Sequence, residues 1–162
     1  MGLELDPRWQ IEAYEQVKSD FSAERHSCII APTGCGKTPI GLKLAEENPD
    51  KDIVWLTANW AAIGEVKKLI RQIYGKDAKQ IFPRLRFYTY NALSKMKNIE
   101  FDKLNPDIIV YDELHRAGAQ TWRIRAKKLK ERTNAKVLGM TATPVRTEGR
   151  NMADEICRWS YI

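Results

Sequence analysis

The sequence is poor in cysteine and contains no long apolar run. Three cysteines in 162 residues, Cys28, Cys35 and Cys157, form no CxxC pair. An odd count in a chain of this length argues against a disulfide framework and for a reducing, intracellular setting. No stretch approaches the ~18 apolar residues that a membrane span requires. Met1 to Pro7 lacks the apolar core of a signal peptide, so the chain reads as soluble, cytosolic and without a membrane partner. There is no internal repeat, low-complexity tract or Gly/Ser linker. With 43% hydrophobic residues the chain can fill one core but not two full domains. Charge of one sign is not scarce: 27 basic residues face 21 acidic ones, a formal +6. That excess permits a polyanionic partner without establishing one.

What the chain does have is a series of short apolar runs separated by helical patterns, as expected of a parallel sheet built from strand–helix–strand units. Five strands are predicted: Cys28 to Ala31, Ile53 to Thr57, Leu85 to Tyr90, Ile108 to Tyr111 and Val137 to Met140. Most are continuously apolar, as strands buried on both faces are. Ile63, Val66, Leu69, Ile70, Ile73 and Tyr74 repeat at three- and four-residue spacing and mark a helix. Ile11, Tyr14, Val17 and Phe21 mark another after Pro7, and Trp122, Ala126 and Leu129 a shorter, basic one. Lys37 to Glu47 reads as a helix with Pro39 in its first turn, where a missing N–H costs little.

The chemistry concentrates at the ends of these strands. Gly34-Cys35-Gly36-Lys37-Thr38 follows a predicted strand and opens a predicted helix, the context that distinguishes a phosphate loop from a chance match. Glycines bring backbone N–H groups close to phosphate oxygens, and the helix N-terminus adds partial positive charge. Lys37 would meet the β and γ phosphates and Thr38 would offer its hydroxyl to Mg²⁺. The full pattern asks for glycine at position 31, where this chain has Ala31; the plain alternative is a glycine-rich strand-to-helix turn. Cys35 reads as a spacer contributing its backbone N–H, with a redox role as the alternative.

Ile108-Ile109-Val110-Tyr111 runs directly into Asp112-Glu113, placing two carboxylates at the ligand-binding edge of an α/β sheet. Asp112 would hold Mg²⁺ through water, and Glu113 would orient or deprotonate the water attacking the γ-phosphate. The competing structural role for Asp112 is a helix N-cap. His115, three residues on, is a lone histidine whose interest comes from its place in this box.

Ala31 heading the loop, Asp112-Glu113-Leu114-His115, and Gly139-Met140-Thr141-Ala142-Thr143-Pro144 together resemble the DEAD/DEAH-type superfamily 2 helicases and translocases. More specifically, the chain resembles the branch with DNA-dependent ATPases and restriction-enzyme motor subunits, and the resemblance covers roughly residues 5 to 160. It implies an α/β fold of RecA-like P-loop NTPase type, a mostly parallel sheet with helices on both faces. It implies ATP and Mg²⁺ as ligands, held by Thr33, Gly34, Cys35, Gly36, Lys37 and Thr38, with Gln10 reading the adenine edge. Lys37, Asp112, Glu113 and His115 would serve catalysis, and Thr141 and Thr143 would couple hydrolysis to movement. Thr57 and Thr89 fall where the family places nucleic-acid contacts, although Thr57-Ala58-Asn59-Trp60 departs from the usual Pro-Thr-x-x-Leu. The resemblance further implies nucleic acid, DNA rather than RNA, as partner. It also implies a second RecA-like half supplying arginines to the site, which nothing in these 162 residues resembles. The whole chain is thus expected to be one ATP-binding half, weak in hydrolysis by itself.

Seven basic residues between Ile63 and Arg86 and seven between Trp122 and Lys136 would suit phosphate neutralisation, or be solvated helix faces. Trp60 and Trp122 are candidates for base stacking, with burial the more common fate of each. The functional alternative from a different class is a non-catalytic module that binds nucleic acid or a partner and keeps nucleotide as a structural ligand. Glu113 speaks against it, since a module that never hydrolyses needs no base beside the metal carboxylate. An unrelated phosphate-loop kinase would leave Asp-Glu-x-His and Thr-Ala-Thr unexplained.

Overall fold

The computed structural model describes residues 2–32, 36–114, 120–142 and 159–161. Six strands are present among them: β1 (His26–Ile30), β2 (Ile53–Thr57), β3 (Leu85–Thr89), β4 (Ile108–Asp112), β5 (Lys136–Thr141) and β6 (Trp159–Tyr161). They form one sheet in the order β3-β2-β4-β5-β1-β6, with every neighbouring pair parallel. The five expected strands are all there, within two residues of their expected ends, and β6 is additional.

Alternation along the strands divides the core between two faces. Ile53, Trp55, Ile108, Val110, Leu138 and Met140 point to one side and pack with α1 (Gln10–Ser22), α2 (Thr38–Glu46) and α3 (Trp60–Tyr74). Val54, Leu56, Ile109, Tyr111 and Val137 point to the other, against α5 (Tyr90–Lys95), α6 (Asn98–Lys103) and α7 (Gln120–Thr133). Burial on both faces is why these strands read as unbroken apolar runs, each fully buried large side chain stabilising the fold by about 1.5–3 kcal/mol. A 3-10 turn (Gly75–Asp77) and α4 (Ala78–Ile81) lead from α3 to β3.

The amphipathic pattern of α3 is realised by Ile63, Val66, Ile70 and Tyr74, all buried, and its start is fixed by Asn59, whose side chain accepts from the Ala62 N–H at 2.9 Å. Pro39 sits in the first turn of α2, as its lack of an N–H requires. At the base of the fold, fully buried Asp20 closes the junction between α1 and β1. Its carboxylate accepts from the Ser27 hydroxyl, from Gln16 at 3.0 Å and from Arg25 at 3.5 Å.

Candidate nucleotide site

Because the sheet is parallel, all its strands end on one edge, and the central order β2-β4-β5-β1 gathers residues far apart in sequence. There, Gly36, Lys37 and Thr38 beyond β1, Asp112 and Glu113 at the end of β4, and Thr141 and Ala142 at the end of β5 line one cleft of about 620 Å³. The opposite wall is α3, through Glu65, Lys68, Leu69 and Gln72. These α3 residues had no signature in the sequence, since a helix face becomes a wall only once its packing is known. Thr33, Gly34, Cys35, His115 and Thr143 lie outside the described residues.

The end of the glycine loop is held by its surroundings. Lys37 Nζ donates to the carbonyls of Ala31 at 2.6 Å and Pro32 at 3.0 Å, folding the ammonium back along the loop. The Ala31 N–H donates to the Thr141 carbonyl at 3.1 Å, tying loop to β5. Gln10 is buried and bridges two backbones: its Nε2 donates to the Gly36 carbonyl at 2.9 Å and its Oε1 accepts from the Asp6 N–H at 2.7 Å. Gly36 has φ +88°, a conformation that favours glycine, and a Cβ there would lie 2.6 Å from Gln10 Nε2, so any side chain would displace that amide from the loop.

Asp112 is anchored through both its side chain and its main chain. Its Oδ2 accepts from Trp55 Nε1 and Thr57 Oγ1, each at 3.4 Å, and its carbonyl accepts from the Tyr90 hydroxyl at 2.7 Å. Burial is the main influence on the carboxyl and raises its pKa from 3.8 to about 6, with the Glu113 charge pushing the same way and the Trp55, Glu113 backbone and Thr57 donors opposing. Burial, and then the Asp112 charge, push the Tyr90 phenol well above its usual range, keeping it a donor. Among the described residues the first α-helix after Asp112 begins at Gln120. Glu113 adopts φ +50°, the left-handed region that a non-glycine residue occupies at a cost of about 1–2 kcal/mol. The fit of Mg²⁺ rests on the donor set: one fixed carboxylate and one threonine hydroxyl share the cleft. No cluster of three or more His, Cys, Asp or Glu side chains occurs among the described residues. Mg²⁺ uses such a sparse set when phosphates and water complete its shell.

Two residues expected to touch nucleic acid have other employment. Thr57 and Thr89 are buried, Thr57 bonding Asp112 and Thr89 capping α5 by accepting from the Ala92 N–H at 2.9 Å. Both stand at strand ends of a sheet that helices cover on each face, and both side chains are held in the interior. Part of the basic surface is likewise structural. Arg125 donates to the Leu93 carbonyl and to Asn98, and Arg132 to the carbonyls of Phe101, Asp102 and Leu104, the two guanidinium groups lying 4.3 and 5.3 Å from the Phe101 ring centre. Lys136 pairs with Glu24. Trp122 packs on the core, stacked on Tyr90 at 6.0 Å between ring centres. Trp60 instead is 69% exposed at the head of α3, against the expectation of burial.

A family model described as type III restriction enzyme, res subunit, matches residues 5–146. None of the curated proteins matches the chain. Among solved structures it is similar to the Hef helicase domain of Pyrococcus furiosus, at 20% identity and a TM-score of 0.68, covering 95% of this chain and 37% of that one. It is also similar to the SWI2/SNF2 ATPase core of Sulfolobus solfataricus, solved with double-stranded DNA, at 13% identity and a TM-score of 0.70, covering 96% of this chain and 36% of that one. A third likeness is to the ATP-dependent type ISP restriction-modification enzyme LlaBIII bound to DNA, at 20% identity and a TM-score of 0.60, covering 87% of this chain and 13% of that one. These likenesses establish the RecA-like fold, and the chain spans little more than a third of the first two relatives' length.

Proposed function

Because this chain belongs to the type III restriction enzyme res-subunit family, we propose that it is the first RecA-like, ATP-binding domain of a nucleic-acid-dependent ATPase of helicase or DNA-translocase type. The observation that carries the reading is the convergence of Lys37, Thr38, Asp112, Glu113 and Thr141 on one cleft at the carboxyl edge of the sheet.

In this reading Lys37 exchanges the Ala31 and Pro32 carbonyls for the β and γ phosphates, while Thr38 and Asp112 hold Mg²⁺. The ion supplies charge neutralisation at the γ-phosphate. Glu113 orients the attacking water and accepts its proton, a task suited to a carboxylate at the cleft rather than buried behind it. His115 and Thr143 join this set, and Thr141, whose carbonyl holds the Ala31 N–H, couples the loop to β5. Gln10 reads adenine by giving up one of its two backbone partners. Thr33, Gly34 and Cys35 complete the phosphate cradle with their N–H groups.

A second RecA-like domain, in the same protein or a partner chain, supplies the remaining charge stabilisation. Where an arginine finger operates its contribution is on the order of 10³–10⁵ in rate, so this domain alone binds nucleotide and hydrolyses it weakly. Nucleic acid is the partner, with DNA favoured because two structural relatives were solved bound to it. No helix among the described residues is long and apolar enough to cross a membrane, and the working compartment is the cytoplasm.

Calorimetric titration with Mg·ATP and Mg·ADP tests the reading, with Lys37→Ala as control. Saturable binding by the unmutated chain and its loss in the folded variant are expected; no binding, or equal binding by both, overturns it.

A further inference from the structure

We propose that β2 is a positioning arm for the metal site, and that the Trp55 indole is the common gauge against which both metal-side residues, Asp112 and Thr38, are set. This rests on reading the cleft as a Mg-nucleotide site.

In the β2/β4 register Trp55 lies opposite Val110 and Leu56 opposite Tyr111. One further step sets Thr57 beside Asp112, on the same face as Trp55, because alternate residues share a face. Trp55 Nε1 and Thr57 Oγ1 thus converge on a single oxygen, Asp112 Oδ2, each at 3.4 Å. Both donors are fully buried and so held by the core, while the carboxylate they meet opens on the cleft.

The ring has a second contact that fixes the other ligand. Gly41 of α2 lies against it so closely that a Cβ at position 41 would stand 2.6 Å from Trp55 Cη2 and 2.9 Å from Cζ3. The indole also meets Phe87, its register partner on β3, at 5.8 Å between ring centres. Gly41 is three residues along α2 from Thr38, on the same side of the helix. The distance at which α2 rides over the sheet, and with it the placement of Thr38, is therefore set by the reach of the Trp55 ring edge, with the Met140 methyl beside it. A buried strand position asks only for apolar bulk, which leucine or valine supplies. Tryptophan adds an N–H that must find an acceptor in the core, and the acceptor it finds is the metal-site carboxylate.

Thr57→Val removes the hydroxyl at constant shape, Thr57→Ser retains it, and Trp55→Phe removes the N–H together with part of the ring. The readout is ADP affinity by calorimetry in saturating Mg²⁺ and in EDTA, alongside melting temperature. Loss of one such hydrogen bond is expected to cut the Mg²⁺-dependent gain in ADP affinity by about three- to tenfold in Thr57→Val. Trp55→Phe should lose at least as much, with affinity in EDTA unchanged within about twofold and Thr57→Ser close to the unmutated chain. A merely structural role would lower the melting temperature and leave the Mg²⁺ gain intact; that result in Thr57→Val overturns the arm, even if Trp55→Phe fails to fold. An unmutated chain that binds ADP no better with Mg²⁺ than in EDTA overturns the nucleotide reading and the arm together.

Discussion

Glu113 is held at φ +50° immediately after a buried strand, and the turn aims the residue following Asp112 along the cleft rather than back into the sheet. Left-handed backbone favours glycine, so Glu113→Gly is expected to be more stable than Glu113→Ala by about 1 kcal/mol in urea denaturation. Paired with a second RecA-like domain of the proposed kind, both variants should lose turnover. Equal stability of the two would show that the turn is relaxed. The acidic pair was legible in the sequence because its members are adjacent and follow an apolar run. The donors that fix Asp112 were not. Trp55 and Thr57 lie 57 and 55 residues away and meet it only through strand register. Family resemblance placed Thr57 and Thr89 on nucleic acid; a motif says nothing of burial, and both side chains are buried here.

Among the elements, the sequence showed long, strongly periodic pieces best. β2 matches its apolar run residue for residue, and α3 its three- and four-residue spacing. Helices α5 and α6 have six residues each, too few for a period to show, and β6 has three. These short helices lean on α7, whose arginines supply donors to their terminal carbonyls. A run of basic residues that the sequence left open between a polyanion surface and solvated helix faces is thereby partly a set of caps. Arg132→Ala should lower stability by about 1 kcal/mol, since carbonyls at the end of α6 lose their donor. Its affinity for single-stranded oligonucleotide should change less than about twofold. A large loss of affinity at unchanged stability would return Arg132 to the nucleic-acid surface. Exposed Trp60 is the better stacking candidate, on a helix start pinned by Asn59.

For the molecule as a whole, acid sensitivity should be traceable to a residue far from the cleft. His26, at the start of β1, accepts from the Val137 N–H through Nδ1 at 3.1 Å, which requires the neutral ring. Burial first, then the Lys130 and Lys136 charges, depress its pKa from 6.5 to about 4. The unfolded chain therefore binds the proton more readily than the folded one between those values. The histidine's contribution is fully present above about pH 6.5 and is lost as pH falls towards 4. Asp112, raised to about 6, works in the opposite sense, favouring the fold as pH falls through 6. Comparing unfolding free energies at pH 7 and pH 5 in the unmutated chain and in His26→Asn isolates the histidine: the unmutated chain should lose more. A loss as large in the variant would rule His26 out.

The strand order carries a consequence for how the domain comes into being. β1 and β2 follow one another in the chain, yet β4 and β5 stand between them. With strands about 4.8 Å apart, an emerging chain that has reached only β3 faces a gap of roughly 14 Å between its first two strands. That gap is closed by the very strands that end in Asp112 and Thr141. Long-range pairing of this kind is slow and leaves apolar edges open to other chains until it is done. Closing the sheet and assembling the nucleotide cleft are therefore a single late event. A partly made chain has neither, and nucleotide can reward only molecules whose last central strand is already in place.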